Sequence, residues 1–147
     1  DFISGELESA VLRCFREKSP DFIFVEGQSA LSNPSGPCGA EYLLSAQCKG
    51  VILQHSPSRI YYNGQEETGI KISLDREIGI IRLYGSEVIA ITLNTSGLTL
   101  AESLAYKRDY ERKYNIPVIL PLEEGVGKLA EAVVNFSRQA VIAKPVL

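Results

Sequence analysis

Four apolar runs in this sequence end in, or lead to, polar side chains able to do chemistry. Phe22–Val25 is followed by Glu26, Gly27 and Gln28, and "GVILQH" closes on His55 with Ser56 and Arg59 just beyond. "EVIAITLN" delivers Asn94 and Thr95, and "IPVILPL" leads to Glu123. A carboxylate at the end of a core strand has no packing role, because an unpaired buried charge costs several kcal/mol or takes up a proton. Glu26 is therefore read as meeting a cation or a proton, with Gly27 leaving space for a ligand; accepting N–H bonds from its own loop is the structural alternative. His55 is the only histidine, which excludes a multi-histidine metal centre within the chain. Its intrinsic pKa suits a general base or a substrate-orienting group, or it simply bonds a neighbouring loop. The two-pronged guanidinium of Arg59 suits an anionic substrate, or a surface ion pair. Gln28 joins it as a candidate substrate contact. Asn94 is either a ligand contact or the stabiliser of the turn into Ser96-Gly97.

These groups share a site only if the chain lines up its strands. Leu7, Ala10, Val11, Cys14 and Phe15 recur at helical spacing, predicting an amphipathic helix closed by Pro20 with Cys14 in the core. The segment 22–26 reads as a strand buried on both faces, and a Ser-, Asn-, Pro- and Gly-rich loop leads on to a short helix near Ala40–Gln47. A second strand, "GVILQH", follows. Residues 56–72 carry turn signals, strongest at Asn63-Gly64, and suggest a hairpin or flap. Ser73 reads as the N-cap of a helix turning Leu74, Ile78 and Ile81 inward. "EVIAITLN" is a third strand, Thr99 to Glu102 a capping box, "IPVILPL" a fourth strand, and Val126, Leu129, Val133 and Phe136 line a last helix. The tail "AVIAKPVL" reads as a stray strand or an unstructured end. Strands alternating with helices, with apolar runs throughout, predict one α/β domain over residues 1–147, its parallel sheet of about four or more strands covered by helices on both faces. In such sheets ligands sit beyond the carboxyl ends of the strands, where the polar groups named above would gather.

Composition narrows the partners. The 147 residues are 45% hydrophobic, and 15 basic against 18 acidic residues give a formal charge of −3, with no basic face for nucleic acid. The one dense charge cluster, "KRDYERK" at Lys107–Lys113, mixes both signs and reads as a solvated helix face. No apolar stretch of about eighteen residues spans a membrane, and no signal-peptide pattern is present, so a cytoplasmic setting is expected. Cys14, Cys38 and Cys48 show neither a zinc spacing nor a disulfide framework. "PLEEGVGKL" imitates a phosphate loop, but Leu122 and Leu129 stand where Gly and Ser or Thr are needed, so it reads as a helix start. The chain contains no Met, and we expect it to be the carboxyl-terminal part of a longer polypeptide.

"DFISGELE", "DFIFVEGQSAL" with Pro34 after it, "GVILQHSPSR", "ITLNTSGL" and "YNIPVILPLEEGVGKLAEAV" together resemble the carboxyl-terminal P-loop domain of a domain-of-unknown-function family that includes D-glutamate N-acetyltransferase. The likeness runs from about Asp1 to Phe136. It implies acetyl transfer from acetyl-CoA to the amine of a small anionic amino acid, with Glu26 and His55 as catalytic candidates and N–H donors for the oxyanion near Gly27–Ser29. A looser similarity to dethiobiotin synthetase implies Mg-ATP chemistry, with Glu26 serving magnesium and phosphates, Asn94 facing the base, and Gly27 and Thr95 nearby in the nucleotide site. The Gly-rich phosphate loop of both groups, with its Lys, has no counterpart in these residues. The resemblance therefore implies an incomplete P-loop NTPase-like domain, with weak or absent ATP binding by this segment alone. A non-catalytic module building a homo-oligomer is the remaining alternative.

Overall fold

Three of the apolar runs become strands of a single parallel sheet in the computed structural model, which describes residues 2–27, 29–36 and 38–142. These are β1 (Gly50–His55), β2 (Glu87–Leu93) and β3 (Val118–Ile119), in spatial order β1-β2-β3. The helices are α1 (Phe2–Lys18), α2 (Ala40–Leu44), α3 (Leu74–Leu83), α4 (Leu100–Tyr114), α5 (Pro121–Glu124) and α6 (Gly127–Ile142). The α/β class with a parallel sheet is as the sequence predicts. The described contacts group the chain into two compact units: Asp1–Lys49 with Tyr62–Ser86, and Gly50–Tyr61 with Glu87–Leu147.

The second unit holds the sheet. In the central strand β2, Ala90 and Ile91 are fully buried and Val88, Thr92 and Leu93 nearly so, so both of its faces are covered. The register pairs Gly50 with Glu87 and His55 with Leu93 along β1–β2, and Ile91 with Val118 on the other side. α4 packs on β3 and α6 on β2. At Gly50 a Cβ would lie 2.8 Å from the Phe136 ring, so the glycine lets α6 approach the strand closely. α4 begins at the capping box the sequence announces: the Thr99 hydroxyl accepts from the Glu102 amide and the Glu102 carboxylate accepts from the Thr99 amide at 2.8 Å. It ends where Asn115 adopts a left-handed conformation, φ 54°.

The first unit holds α1, α2 and α3. Ser73 caps α3 by accepting from Arg76 N, and Leu74, Ile78 and Ile81 are buried, as the spacing predicts. Glu77 is buried among them.

Four expectations are corrected. Phe22–Val25 belongs to no ladder, so the described sheet has three strands rather than four or more. Its rings are exposed, Phe24 at 69%, and those of Phe22 and Phe24 stack with centroids 6.3 Å apart. An apolar run supplies β propensity, but a strand exists only where a second backbone satisfies its N–H and C=O groups. The "IPVILPL" strand shrinks to Val118–Ile119, because Pro121 starts α5 directly after Leu120. Residues 56–72 are mostly turns with single bridge positions at Tyr61 and Lys71, not a pair of strands, and Gly64 supplies the positive φ of 71° that the Asn63-Gly64 turn needs. Cys14 is half-buried on a helix with no fully buried residue, rather than part of a core. Of the tail, Ala140–Ile142 continue α6 and the rest lies outside the described residues.

The "KRDYERK" reading also fails at its first residue. Lys107 is buried, with its Nζ 2.6 Å from both carboxylate oxygens of Glu124, while Arg112 and Asp109 form the exposed pair that a solvated face implies. Lys107 is thus a brace between α4 and α5. The bond to Lys107 holds the Glu124 carboxyl below its ordinary range. Lys107→Met should therefore cost about 1–3 kcal/mol near neutral pH, the lower end reflecting Glu124's partial exposure. Because the folded-state pKa of Glu124 is depressed, the pair's contribution is present above the ordinary carboxylate range and is lost as pH falls. Denaturant midpoints of variant and parent should converge on acidification; a constant gap would mean packing, not charge, carries the effect.

Candidate functional site

The carboxyl edge of the sheet is tied together side by side in the second unit. His55 sits opposite Leu93, and the Asn94 amide donates to the His55 carbonyl at 2.8 Å, carrying the ladder one residue past the end of β2. The chain then turns: Asn94 Oδ1 accepts from Ser96 N at 3.0 Å, and Gly97 takes φ 80°. This is the turn-stabilising role open to Asn94 from the sequence. Ser58, beyond β1, donates its hydroxyl to the Ser96 carbonyl at 2.7 Å. Thr95 donates to Glu123 Oε1 at 2.5 Å, bridging the ends of β2 and β3. His55, Ser58, Asn94, Thr95 and Glu123 thus come from three parallel strand ends and form one connected polar edge.

His55 is half-buried there. Its Nε2 lies 3.4 Å from Tyr110 Oη, and the two rings meet edge-on with centroids 5.7 Å apart. Tyr110 stands between Tyr106 and Tyr114 on α4, at 5.8 and 6.0 Å, so the i, i+4, i+8 spacing makes a row of three rings. Burial pushes the His55 pKa down to about 4. The expectation of a base poised near neutrality by its intrinsic pKa is therefore corrected: His55 is a neutral imidazole at pH 7, able to accept at one nitrogen and donate at the other. Burial, reinforced by Tyr106 and Tyr114, pushes the Tyr110 hydroxyl up, so it stays protonated. Arg59 is exposed in the turn after His55, its amide donating to the Ser56 carbonyl at 3.1 Å.

Glu26 and Gly27 belong to the first unit. Glu26 is exposed. A Cβ on Gly27 would sit 3.5 Å from the Tyr42 ring, an ordinary contact. Gln28 lies outside the described residues. The loop that follows is clamped by a residue the sequence reading passed over: Glu77 accepts from Leu31 N at 2.9 Å, from Ser32 N at 3.1 Å and from the Ser32 hydroxyl, with Tyr62 Oη at 3.3 Å. Ser32 Oγ also lies 2.7 Å from Tyr62 Oη. Position 77 falls three after Leu74 and four before Ile81, on the apolar stripe, and that spacing was the available signal.

Among the described residues no group of three or more His, Cys, Asp or Glu side chains could hold a metal ion. Glu26 offers magnesium one carboxylate. Such a donor fits a magnesium ion that takes its remaining ligands from phosphates and water, and does not fit a cage of protein side chains.

A family model described as "Domain of unknown function (DUF1611_C) P-loop domain" matches residues 1–130. The chain belongs to this family. A crystal structure of a DUF1611 family protein from Anabaena variabilis superposes with a TM-score of 0.80 at 21% identity, over 92% of this chain and 41% of that one, and shows the shared fold. A relative named D-glutamate N-acetyltransferase, from Tritonibacter scottomollicae, is 25% identical over 144 residues, covering 90% of this chain and 40% of the relative. The chain therefore spans about two-fifths of the length of both of these proteins.

Proposed function

We propose that this P-loop-family chain is the carboxyl-terminal part of an enzyme that transfers an acetyl group from acetyl-CoA to the amine of a small anionic amino acid. The observation that carries this reading is the connected polar edge at the ends of β1, β2 and β3, where open parallel sheets take their ligands; the name of the Tritonibacter relative supports the reaction class. A neutral His55 is too weak a base to strip an ammonium by itself, but it can hydrogen-bond a substrate that arrives with its amine free and so orient it for attack. Arg59, one turn beyond, suits the substrate carboxylate. Asn94 and Thr95, on the same edge, are the residues we assign to the nucleotide portion of the cofactor. A cytoplasmic location and assembly into homo-oligomers go with this proposal.

The intact polypeptide carrying this chain, titrated calorimetrically with acetyl-CoA, ATP and D-glutamate and assayed for N-acetylation, tests it. Acetyl-CoA binding and turnover are expected, with kcat/KM about 10²-fold lower in His55→Ala. Turnover that consumes ATP instead would make the enzyme a ligase or phosphotransferase. Binding of none of the three would leave a non-catalytic assembly module.

A further inference from the structure

We infer that Tyr110 is a positioning residue that sets the tautomer of His55, donating its hydroxyl to Nε2 so that the imidazole carries its proton on Nδ1. The geometry that carries this lies wholly within the second unit: Oη and Nε2 are 3.4 Å apart, and the rings meet edge-on at 5.7 Å with an interplanar angle of 62°. Tyr110 is held in place by its two neighbours in the tyrosine row, and His55 by the strand register and the bond from Asn94 N to its carbonyl. Two restrained groups thus face one another across a single hydrogen bond.

A neutral imidazole has one donor and one acceptor nitrogen, and whichever nitrogen accepts a bond leaves the proton on the other. A phenol hydroxyl is a better donor than acceptor, and a protonated Tyr110 beside an unprotonated ring nitrogen satisfies both groups. Free imidazole side chains prefer the proton on Nε2, so the contact reverses the default. On the functional reading above, which this inference deepens, the result is an N–H donor at the sheet edge, suited to a carboxylate or carbonyl oxygen of the ligand, in place of the amine-accepting contact that the other tautomer would make.

Nitrogen-15 NMR of the imidazole, in the protein carrying this chain, reads the tautomer directly, with the His55→Gln variant assigning the signal. We expect a protonated, pyrrole-type Nδ1 and a bare, pyridine-type Nε2. Tyr110→Phe, which keeps the ring and removes the hydroxyl, should return the proton to Nε2, whereas Tyr106→Phe should leave the tautomer unchanged. In turnover, Tyr110→Phe should lower kcat about tenfold with little change in KM, the effect of one hydrogen bond. An Nε2–H imidazole in the parent, or a tautomer indifferent to Tyr110→Phe, overturns the inference. The parent spectrum decides even if the variant does not fold. Because the spectrum needs no substrate, a failed acetyltransfer assay would count against the functional reading alone.

Discussion

Replacing Glu77 by leucine should destabilise the protein by about 2–5 kcal/mol, the largest single-residue loss expected outside the apolar core. The carboxylate is 4% exposed and accepts from two consecutive amides, Leu31 and Ser32, as well as from the Ser32 hydroxyl. Leucine fills similar volume but accepts nothing. The hydroxyls of Ser32 and Tyr62 can still satisfy one another across 2.7 Å, whereas the two amides lose these acceptors. The loss should therefore concentrate in the loop: amide hydrogen exchange at Leu31 and Ser32 should speed up by at least about 10²-fold, while β2 amides change only with global stability. Glu77→Gln should be milder, because one amide oxygen still accepts, although its NH₂ meets donors on the other side. A leucine variant as stable as the parent, with Leu31 and Ser32 still protected, would show that the loop is held by its own turns. The clamped segment begins within a few residues of Glu26 and Gly27, so loosening it would reach these two candidate residues as well.

The same residue shows where the sequence stops being readable. The α3 helix was legible because its signals are local: Ser73 at the cap, then Leu74, Ile78 and Ile81 on one stripe. Glu77 stands on that stripe too, but its partners lie 15, 45 and 46 positions away, and no local rule connects them. Lys107 is hidden similarly, inside a mixed charge run whose exposed members disguise the buried one. The capping box at Thr99, the central strand and the helix start at "PLEEGVGKL" all came through, since each depends on neighbours within a turn or a ladder. Phe22–Val25 did not, because its composition is that of a strand and only the absence of a ladder partner among the described residues distinguishes it. For the site, the apolar runs led to His55, Asn94, Thr95 and Glu123, which lie along the second unit's edge, and "NTSG" offered the turn role that Asn94 takes. What the sequence could not carry was the state of His55, which depends on how much protein surrounds the ring.

That state makes acid the sharpest probe of the edge. With its folded-state pKa at about 4 against an ordinary 6.5, His55 resists protonation in the native protein and accepts it readily when unfolded. Between these values the unfolded chain binds more protons, so stability must fall as pH drops from about 6.5 toward about 4, and level off below, where both states are charged. The size of this contribution is at most about 3 kcal/mol. The groups of the surrounding elements do not reverse it: Tyr110 of α4 meets the ring, with Tyr106, Asp109, Lys113 and Tyr114 on the same helix, Arg59 follows in the next turn, and Glu123 is engaged by Thr95 at the neighbouring strand ends. Burial alone is the cause of the shift, and none of these side chains supplies a counter-charge. Carboxylates such as Glu124 add their own acid lability at lower pH, so the parent must be compared with His55→Gln, which removes the titration while keeping a polar side chain. The gap between their denaturant midpoints should change by the His55 contribution across this window and stay flat outside it. An imidazole resonance titrating near 6.5 in the native protein would mean that water reaches the ring, and the edge would then present a cation to its ligand at mildly acidic pH instead of a neutral hydrogen-bonding group.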